Sequence, residues 1–326
     1  MYMRNCEPRQ LIPLNDLSAF DKIPEFKWIN NLLNKAGNIA KGIGDDAFVF
    51  GDYLISADMS VENTHFRLDW STPEQAVEKC LLSNFSDINA MGGKAKAILF
   101  SICINKKWSR KTRDEIANSV VKICKKYNVK ILGGDTVGGN TGVFSVTIFG
   151  KSKGKILLRS AAKNGDDVWL AGYSGCSGTG LKILEKEDKK KFSKLEHELV
   201  NLHKVPNPPL TLGEQLAKIK GIGACMDLSD SLAESLLHIS AQSKIKIKIK
   251  KKFIPVFPGV AKDTLLSGGE DYCLLFTARK SAKKSVLRLA KKFLKEFPIC
   301  KIGEIKNGSG VFLDGKKLEV KGWRHF

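Results

Sequence analysis

Two short apolar segments separated by a glycine turn predict a tight β-hairpin in the first part of the chain. The segments are 48–50 and 53–55, and Gly51-Asp52 lies between them. Two-residue turns that contain glycine are typical of antiparallel hairpins. Further apolar runs of strand length occur at 97–104, 143–149 and 168–171.

The segment that begins at Pro73 has the spacing of a helix. Thr72 is the predicted N-cap, Gln75 completes a capping box, and Gly92-Gly93 ends the helix. Asp87 falls on the border of an apolar stripe. The members of that stripe are Val77, Leu81, Phe85, Ile88 and Met91. Other helices are predicted at about 112–127 and from about 212 onwards.

Strands and helices alternate in both halves of the chain, which predicts a mixed α/β fold. Lysine and isoleucine alternate strictly over 244–250, the pattern of a half-buried strand whose isoleucines face inward. The polar segment 151–155 lies between two apolar strands and is the best candidate for a domain boundary. We therefore expect two domains, at 1–153 and 154–326.

The composition indicates an ordinary globular protein, with 43% hydrophobic and 27% charged residues among 326. The net charge of +20 would attract phosphates and raises the hypothesis of nucleic-acid binding. However, the excess consists mostly of dispersed lysine, without the interleaved aromatic residues that base stacking requires. We expect solvated lysine-rich surfaces, with nucleic-acid binding as the less favoured alternative.

The cysteines and the first residues of the chain bear on its location. Eight cysteines are widely separated, with no C-x-x-C pair, so we expect mostly reduced, buried thiols. Residues 1–21 mix charged and apolar positions, a pattern that fits neither a signal peptide nor a membrane span. These features predict a cytoplasmic protein.

Carboxylates beside glycines, in turns or at the ends of elements, are the most informative candidates for chemistry. Oxygen ligands of this kind suit Mg²⁺ that bridges to substrate phosphates. The glycine-rich loop 172–180 opens a helix and superficially resembles a P-loop, but the lysine and hydroxyl positions do not match. The six acidic segments are 44–47, 57–59, 86–88, 133–136, 226–230 and 268–271. They predict metal-assisted phosphoryl transfer.

An ordered set of motifs resembles the thiamine-monophosphate kinase family. The resemblance runs from about Phe26 to Phe326. It implies ATP-dependent conversion of thiamine monophosphate to thiamine diphosphate, on a two-domain fold shared with aminoimidazole ribonucleotide synthetase. It also implies a homodimer joined through the sheets of the N-terminal domains. The motifs are 44–47, 61–66, 84–92, 133–136, 227–230 and 267–272.

The resemblance also implies roles for individual residues. Asp87, Asp135 and Arg159 would be catalytic, and Gly134, Asp135, Arg159 and Ser229 would contact ATP. Thiamine monophosphate would be held by His65, Glu270 and an aromatic residue near the C-terminus, Trp323 or Phe326. The magnesium ligands would be Asp45, Asp58, Asp87, Asp135, Asp227 and Asp230.

Several positions depart from the family pattern and put local nucleotide contacts in question. Ala57 stands where a hydroxyl residue is usual, and Ser231 replaces a glycine. Asn63-Thr64 replaces a usual Gly-Val, 137–140 lacks the usual polar residues and arginine, and Ala117 stands where a tyrosine is common. All six acidic ligand positions keep their carboxylates.

The acceptor implied here is itself a phosphate, so its oxygen is anionic and no general base is needed. Catalysis then depends on neutralising and aligning two polyanions. Other members of the superfamily are the nearest rivals. Selenophosphate synthetase would need a reactive cysteine, for which Cys6 lacks the setting, and the hydrogenase-maturation protein would need a C-terminal cysteine, whereas this chain ends in His325-Phe326. The segment 61–66 argues against aminoimidazole ribonucleotide synthetase.

Overall fold

The computed structural model describes residues 24–37, 43–186 and 191–318. Helices α1 to α9 span Pro24–Ala36, Pro73–Ala90, Arg110–Tyr127, Cys176–Leu184, Lys194–Lys204, Leu212–Leu216, Leu232–Ser243, Thr264–Ser267 and Lys283–Phe293. Strands β1 to β13 span Phe48–Phe50, Tyr53–Val61, Gly93–Asn105, Lys130–Gly133, Thr136–Gly139, Val143–Ser152, Asp167–Ala171, Ile222–Asp227, Lys246–Ile249, Leu274–Ala278, Ile299–Lys306, Gly310–Leu313 and Lys316–Lys317. The predicted mixed α/β fold is confirmed.

The first sheet has the order β1-β2-β6-β3-β4, and β5 also pairs with β3. Its predicted hairpin is confirmed, with Phe48 opposite Ile55. Strands β2, β6 and β3 are antiparallel, while β4 and β5 run parallel to β3. Helices α2 and α3 cover one face, against which Phe144, Val146 and Ile148 of β6 are fully buried. Because side chains alternate along a strand, the opposite face carries the intervening residues.

The second sheet has the order β13-β12-β9-β11-β7-β10-β8. The predicted Lys/Ile strand is confirmed as β9, with Ile247 and Ile249 buried. It begins at Lys246, later than predicted, because Lys244 ends α7 in a left-handed conformation with φ of 52°. The helix predicted from about residue 212 is the five-residue α6.

Helix α2 lies between the two sheets. Its predicted capping box is confirmed, since Thr72 and Gln75 exchange side-chain to backbone hydrogen bonds. The helix packs against the first sheet, and Asn89 also bonds to the second half through the carbonyl of Pro209 and the N–H of Gly213. The sequence predicted one apolar stripe on α2, but the helix is buried on nearly all sides, so this prediction was incomplete. Its buried polar residues are Lys79, Ser83, Asn84, Ser86 and Asn89.

Among the described ranges, no helix has the length and apolar character needed to cross a membrane. Seven cysteines in these ranges are free, and five of them are fully buried. Burial raises the pKa of the Cys176 thiol. The expectation of mostly buried cysteines without disulfide bonds is thus confirmed for this part of the chain.

Candidate active site

Helix α2 brings together carboxylates from both halves of the chain. Ser56 of β2 donates a hydrogen bond to Asp87 across 2.6 Å, from Oγ to Oδ2. The neighbouring Ser86 donates to Asp227, at the end of β8, across 2.5 Å. Asp58 lies on the same face of β2 as Ser56, two residues further along. Three of the predicted metal ligands therefore converge around one end of α2.

These carboxylates repel one another. Burial raises the pKa of Asp87 well above its usual value, and the charges of Asp58 and Asp227 raise it further. Burial and the charge of Asp46 likewise raise the pKa of Asp227. Asp58 as a whole residue is exposed. The partial loss of water around its carboxylate, and next the charge of Asp230, nevertheless raise its pKa to about 6. Such a cluster favours a bound cation, which would relieve the repulsion.

Two buried carboxylate oxygens also lack a hydrogen-bond partner within the described residues. They are Oδ2 of Asp46 and Oδ1 of Asp227. A buried carboxylate oxygen without a partner is costly, and a metal ion would satisfy it. In the same ranges, no group of three or more His, Cys, Asp or Glu side chains could hold a metal ion by itself. The carboxylate chemistry of Asp46 and Asp227 itself suits Mg²⁺, which usually binds protein through one or two carboxylates and keeps several waters.

Arg159 lies on a short 3-10 helix, Arg159–Ala161, beside the acidic segment that precedes β1. Its backbone N–H donates to Oδ1 of Asp45 across 2.7 Å, and its guanidinium pairs with Asp46. Burial raises the pKa of Asp45 to about 6, an effect that this hydrogen bond and the arginine charge oppose. Asp46, which the sequence did not single out, is thus the ion-pair partner of Arg159. A contact between Arg159 and ATP stays a prediction.

Asp135 and Gly134 lie in the loop between β4 and β5, on the edge of the first sheet. The N–H of Asp135 donates to Ser101 of β3, and its side chain accepts from the N–H of Thr136. A Cβ on Gly134 would come within 1.8 Å of the carbonyl oxygen of Phe100. In the strand register, Ser101 of β3 is opposite Ser145 of β6, and Ser145 is opposite Met59 of β2. Asp135 is therefore roughly three strand spacings, about 14 Å, from Asp58, and does not join the other carboxylates.

The loop after β8 carries Ser229 and Asp230. The carbonyl of Ser229 accepts the N–H of Glu270 across 2.6 Å, which ties this loop to residues 268–272. Asp230 is exposed at the surface of the acidic cluster. Ser231, one of the departures from the family pattern, is buried and caps α7 by accepting the N–H of Glu234. Its hydroxyl therefore has a structural function.

The other departures lie on the surface or in turns. Ala57 is exposed on β2, and its backbone pairs with Thr147. Ala117 is exposed on α3. Asn63 occupies a left-handed turn with φ of 67°, and Val137 is exposed on β5. None of these positions alters the cluster formed by Asp58, Asp87 and Asp227.

His65 and Glu270 are two of the residues predicted to hold the phosphate acceptor, and they are called acceptor residues below. Both contact a buried lysine of α2, Lys79. Nζ of Lys79 donates to Oε2 of Glu270 across 2.8 Å and to the backbone carbonyl of His65 across 2.9 Å. Nδ1 of His65 accepts the N–H of Val61. The other two predicted acceptor residues, Trp323 and Phe326, lie outside the described residues.

Lys79 and His203 were missed by the sequence-based predictions. Lys79 is one of 54 lysine and arginine residues, although it is the one basic residue in the segment 76–86. His203 of α5 is buried, 3.0 Å from the hydroxyl of Ser177 and 3.7 Å from Glu270. Burial, and next the charge of Lys79, lower its pKa to about 3, so it is neutral near pH 7. Its neighbours are remote in sequence, and no local pattern could have revealed them.

Comparison with known proteins relates the chain to one enzyme family over nearly its full length. Residues 44–152 match the family of AIR synthase related proteins, N-terminal domain. The thiamine-monophosphate kinase of Bacillus subtilis is 33% identical, over 93% of this chain and 99% of the relative. That of Buchnera aphidicola subsp. Schizaphis graminum is 35% identical, over 92% and 97%.

Solved structures agree with this relationship. AaThiL complexed with AMPPCP and TMP matches with a TM-score of 0.82 and 29% identity, over 93% of this chain and 97% of that one. HypE of E. coli, a hydrogenase maturation protein, matches with a TM-score of 0.66 at 18% identity, over 82% and 85%. The second likeness supports the fold alone.

Proposed function

Because this chain belongs to the thiamine-monophosphate kinase family, we propose that it transfers the terminal phosphoryl group of ATP to thiamine monophosphate. The products are thiamine diphosphate and ADP. The observation that carries this proposal is the family relationship at 33–35% identity over more than nine-tenths of the chain. It is supported by the likeness to AaThiL, whose structure contains AMPPCP and TMP.

The acidic residues around α2 form the proposed magnesium site. We propose that several magnesium ions bind, with Asp45, Asp58, Asp87, Asp227 and Asp230 as ligands around α2 and Asp135 as a ligand at the edge of the first sheet. Bound Mg²⁺ would neutralise the phosphate oxygens that otherwise keep the two substrates apart. The partnerless oxygens of Asp46 and Asp227 and the mutual repulsion at Asp87 support a cation here.

The two halves of the chain would act together in the proposed reaction. We propose domains at 1–153 and 154–326, with Asp87 and Asp227 close enough across their junction for the charge of Asp227 to raise the pKa of Asp87. Gly134, Asp135, Arg159 and Ser229 would contact ATP. His65 and Glu270 would hold thiamine monophosphate, together with Trp323 or Phe326. Since the acceptor oxygen is anionic, the residues only need to align it in line with the terminal phosphate.

A homodimer is proposed through the open face of the first sheet. The face opposite α2 and α3 exposes Tyr53 by 49%, Met59 by 56% and Val137 by 53%. An exposed apolar sheet face of this kind is typical of an interface. It also carries the strand edge near Asp135, so a partner subunit would cover the region of the proposed ATP contacts.

Light scattering tests the dimer. We expect twice the 36.0 kDa mass of one chain. Val137→Asp should shift the mass towards the monomer because a charge would be buried in the interface. Val256→Asp is the matched control, since Val256 is 48% exposed in the second half. A monomeric unmodified protein would contradict the proposed assembly.

A direct assay tests the proposed reaction. The purified protein is incubated with Mg-ATP and thiamine monophosphate, and thiamine diphosphate and ADP are measured. We expect both products in equal amounts and no reaction without the acceptor. No product under varied metal conditions, together with a salt-dependent gel shift of nucleic acid, would favour the nucleic-acid alternative.

The proposed reaction and the free cysteines of the described ranges support a cytoplasmic location, which fractionation would test.

A further inference from the structure

Lys79 is a buried ammonium that contacts both of the acceptor residues in the described part of the chain. Its side chain is 7% exposed, and the carboxylate of Glu270 that it pairs with is 27% exposed. Its second contact is the backbone carbonyl of His65. His65 belongs to the first half of the chain and Glu270 to the second. Lys79 and Glu270 are 191 residues apart in sequence.

The rest of the site restricts where Glu270 can lie. Glu270 and Tyr272 both have positive φ values, 61° and 50°, which only surrounding contacts can maintain. The N–H groups of these residues donate to the carbonyls of Ser229 and Leu228. The loop is thus fastened at its backbone, while Lys79 fixes the carboxylate end of the Glu270 side chain.

Lys79 is also the cation that keeps Glu270 ionised. Burial raises the pKa of Glu270, but Lys79 first and His203 second outweigh this effect and lower it. His203 itself has a pKa of about 3 and is neutral near pH 7. Lys79 therefore supplies the positive charge at neutral pH. The next residue, Asp271, is held separately, because its carboxylate accepts the N–H groups of Gly175 and Ser177.

Helix α2 connects this pair to the metal end of the site. Lys79 and Ser86 are seven residues apart, which places them on one face of the helix and about 10 Å apart along its axis. Both contact the second half of the chain, Lys79 through Glu270 and Ser86 through Asp227. One helix face therefore sets the spacing between the acceptor residues and the carboxylate cluster.

We propose that Lys79 is a positioning residue for the acceptor, which holds the Glu270 carboxylate and the His65 carbonyl in the arrangement that binds thiamine monophosphate. This inference rests on the proposed function and adds a residue to it. The ionised Glu270 then complements the cationic thiazolium ring of the acceptor. Lys79 acts through Glu270 and His65 and has no role in the phosphoryl transfer step.

Steady-state kinetics of Lys79→Met test the proposal. We expect the KM for thiamine monophosphate to rise about 10- to 100-fold, the range for losing a charged hydrogen bond, with the KM for ATP within about twofold. Lys79→Arg, which keeps the charge, should recover part of the loss. Lys122→Met is the matched control, because Lys122 forms an exposed ion pair with Glu74 at 2.6 Å.

The double variant Lys79→Met with Glu270→Gln separates positioning from a general structural effect. If Lys79 acts partly through Glu270, the KM increase of the double variant is clearly smaller than the product of the two single increases. Additive effects, or equal increases in both KM values, would overturn the proposal. If Lys79→Met does not fold, Lys79→Gln, which keeps a donor for the His65 carbonyl, carries the same comparison.

Calorimetric binding of thiamine monophosphate to the unmodified enzyme tests the proposed function separately from the role of Lys79. Absence of both binding and turnover would overturn the proposed function and the role of Lys79 that depends on it. Normal turnover with an unchanged KM in Lys79→Met would overturn the role of Lys79 alone.

Discussion

At the residue scale, the carboxylate of Asp87 lies where three other acidic residues oppose its charge. Asp58, Asp227 and Asp46 each raise its pKa, in addition to burial. The hydroxyl of Ser56 is the hydrogen-bond donor to its carboxylate. A carboxylate in such a position lowers the stability of the folded protein without metal, and a bound cation would offset this effect. Such positions are typical of functional sites.

Asp87→Asn should lower kcat by at least about 100-fold, because Asp87 is a proposed direct ligand and the loss of a direct ligand costs more than the loss of an outer partner. The melting temperature without metal should rise, since the amide removes a repelled charge and can still accept from Ser56. Circular dichroism and the coupled kinase assay measure both effects. Asp114→Asn, at an exposed position of α3, is the control and should change neither. Near-normal turnover of Asp87→Asn would remove Asp87 from the metal site.

His203 makes a prediction about acid stability. Its pKa is about 3 in the folded protein and near 6.5 when unfolded, so the unfolded state binds more protons between these values. Stability conferred by the neutral ring is therefore lost as pH falls from 6.5 towards 3. In His203→Gln, the free energy of unfolding should fall less steeply over this window, by about 1 kcal/mol per pH unit.

Urea denaturation between pH 7 and 4.5 measures this slope. His197→Gln is the matched control, because His197 lies on the same helix, α5, but is exposed. Equal slopes for His203→Gln and the unmodified protein would show that His203 does not contribute to the acid sensitivity.

At the scale of elements, α2 and the β4–β5 loop illustrate how far local patterns reach. The capping box of α2 and its end near Gly92 follow from neighbouring residues, and both were predicted. The pairing of Lys79 with Glu270 and that of Ser86 with Asp227 depend on segments 191 and 141 residues away. Sequence reasoning therefore predicted where the helix begins and ends but not what surrounds it.

Gly134→Ala should disrupt the β4–β5 loop. The added Cβ would approach the Phe100 carbonyl to 1.8 Å, and φ is +154°, so we expect a loss of about 1–3 kcal/mol in the free energy of unfolding. The KM for ATP should also rise because the displaced loop carries Asp135. Gly138→Ala is the matched control, since within the described structure a Cβ there would meet nothing within 4 Å. Equal stability of the two variants in urea titrations would contradict this account.

At the scale of the whole molecule, the proposed metal site joins the two sheets. Asp58 and Asp87 belong to the first half of the chain and Asp227 to the second, and their like charges face one another across the junction. Ligands that bind only the folded protein stabilise it by mass action. Binding at this junction should therefore stabilise both halves together.

Mg-ATP at about 100 times its Kd should raise the melting temperature by roughly 5 °C, equivalent to about 2.7 kcal/mol. Differential scanning fluorimetry measures the shift. ATP with a chelator should give much less, because its phosphates would meet the carboxylates without a counter-ion. Asp227→Asn should abolish most of the shift, whereas Asp114→Asn should keep it. A full shift in the presence of chelator would contradict a metal-dependent site.

The sequence alone determined the α/β class, the hairpin at 48–55, the limits of α2 and the acidic segments, because these depend on neighbouring residues and on periodicity. It also indicated the enzyme family through ordered motifs. Only the tertiary structure decided which carboxylates meet, that Asp46 pairs with Arg159, and that Lys79 joins His65 to Glu270. Burial and charge interactions depend on distances in space, and these are set by the packing of elements far apart in the chain.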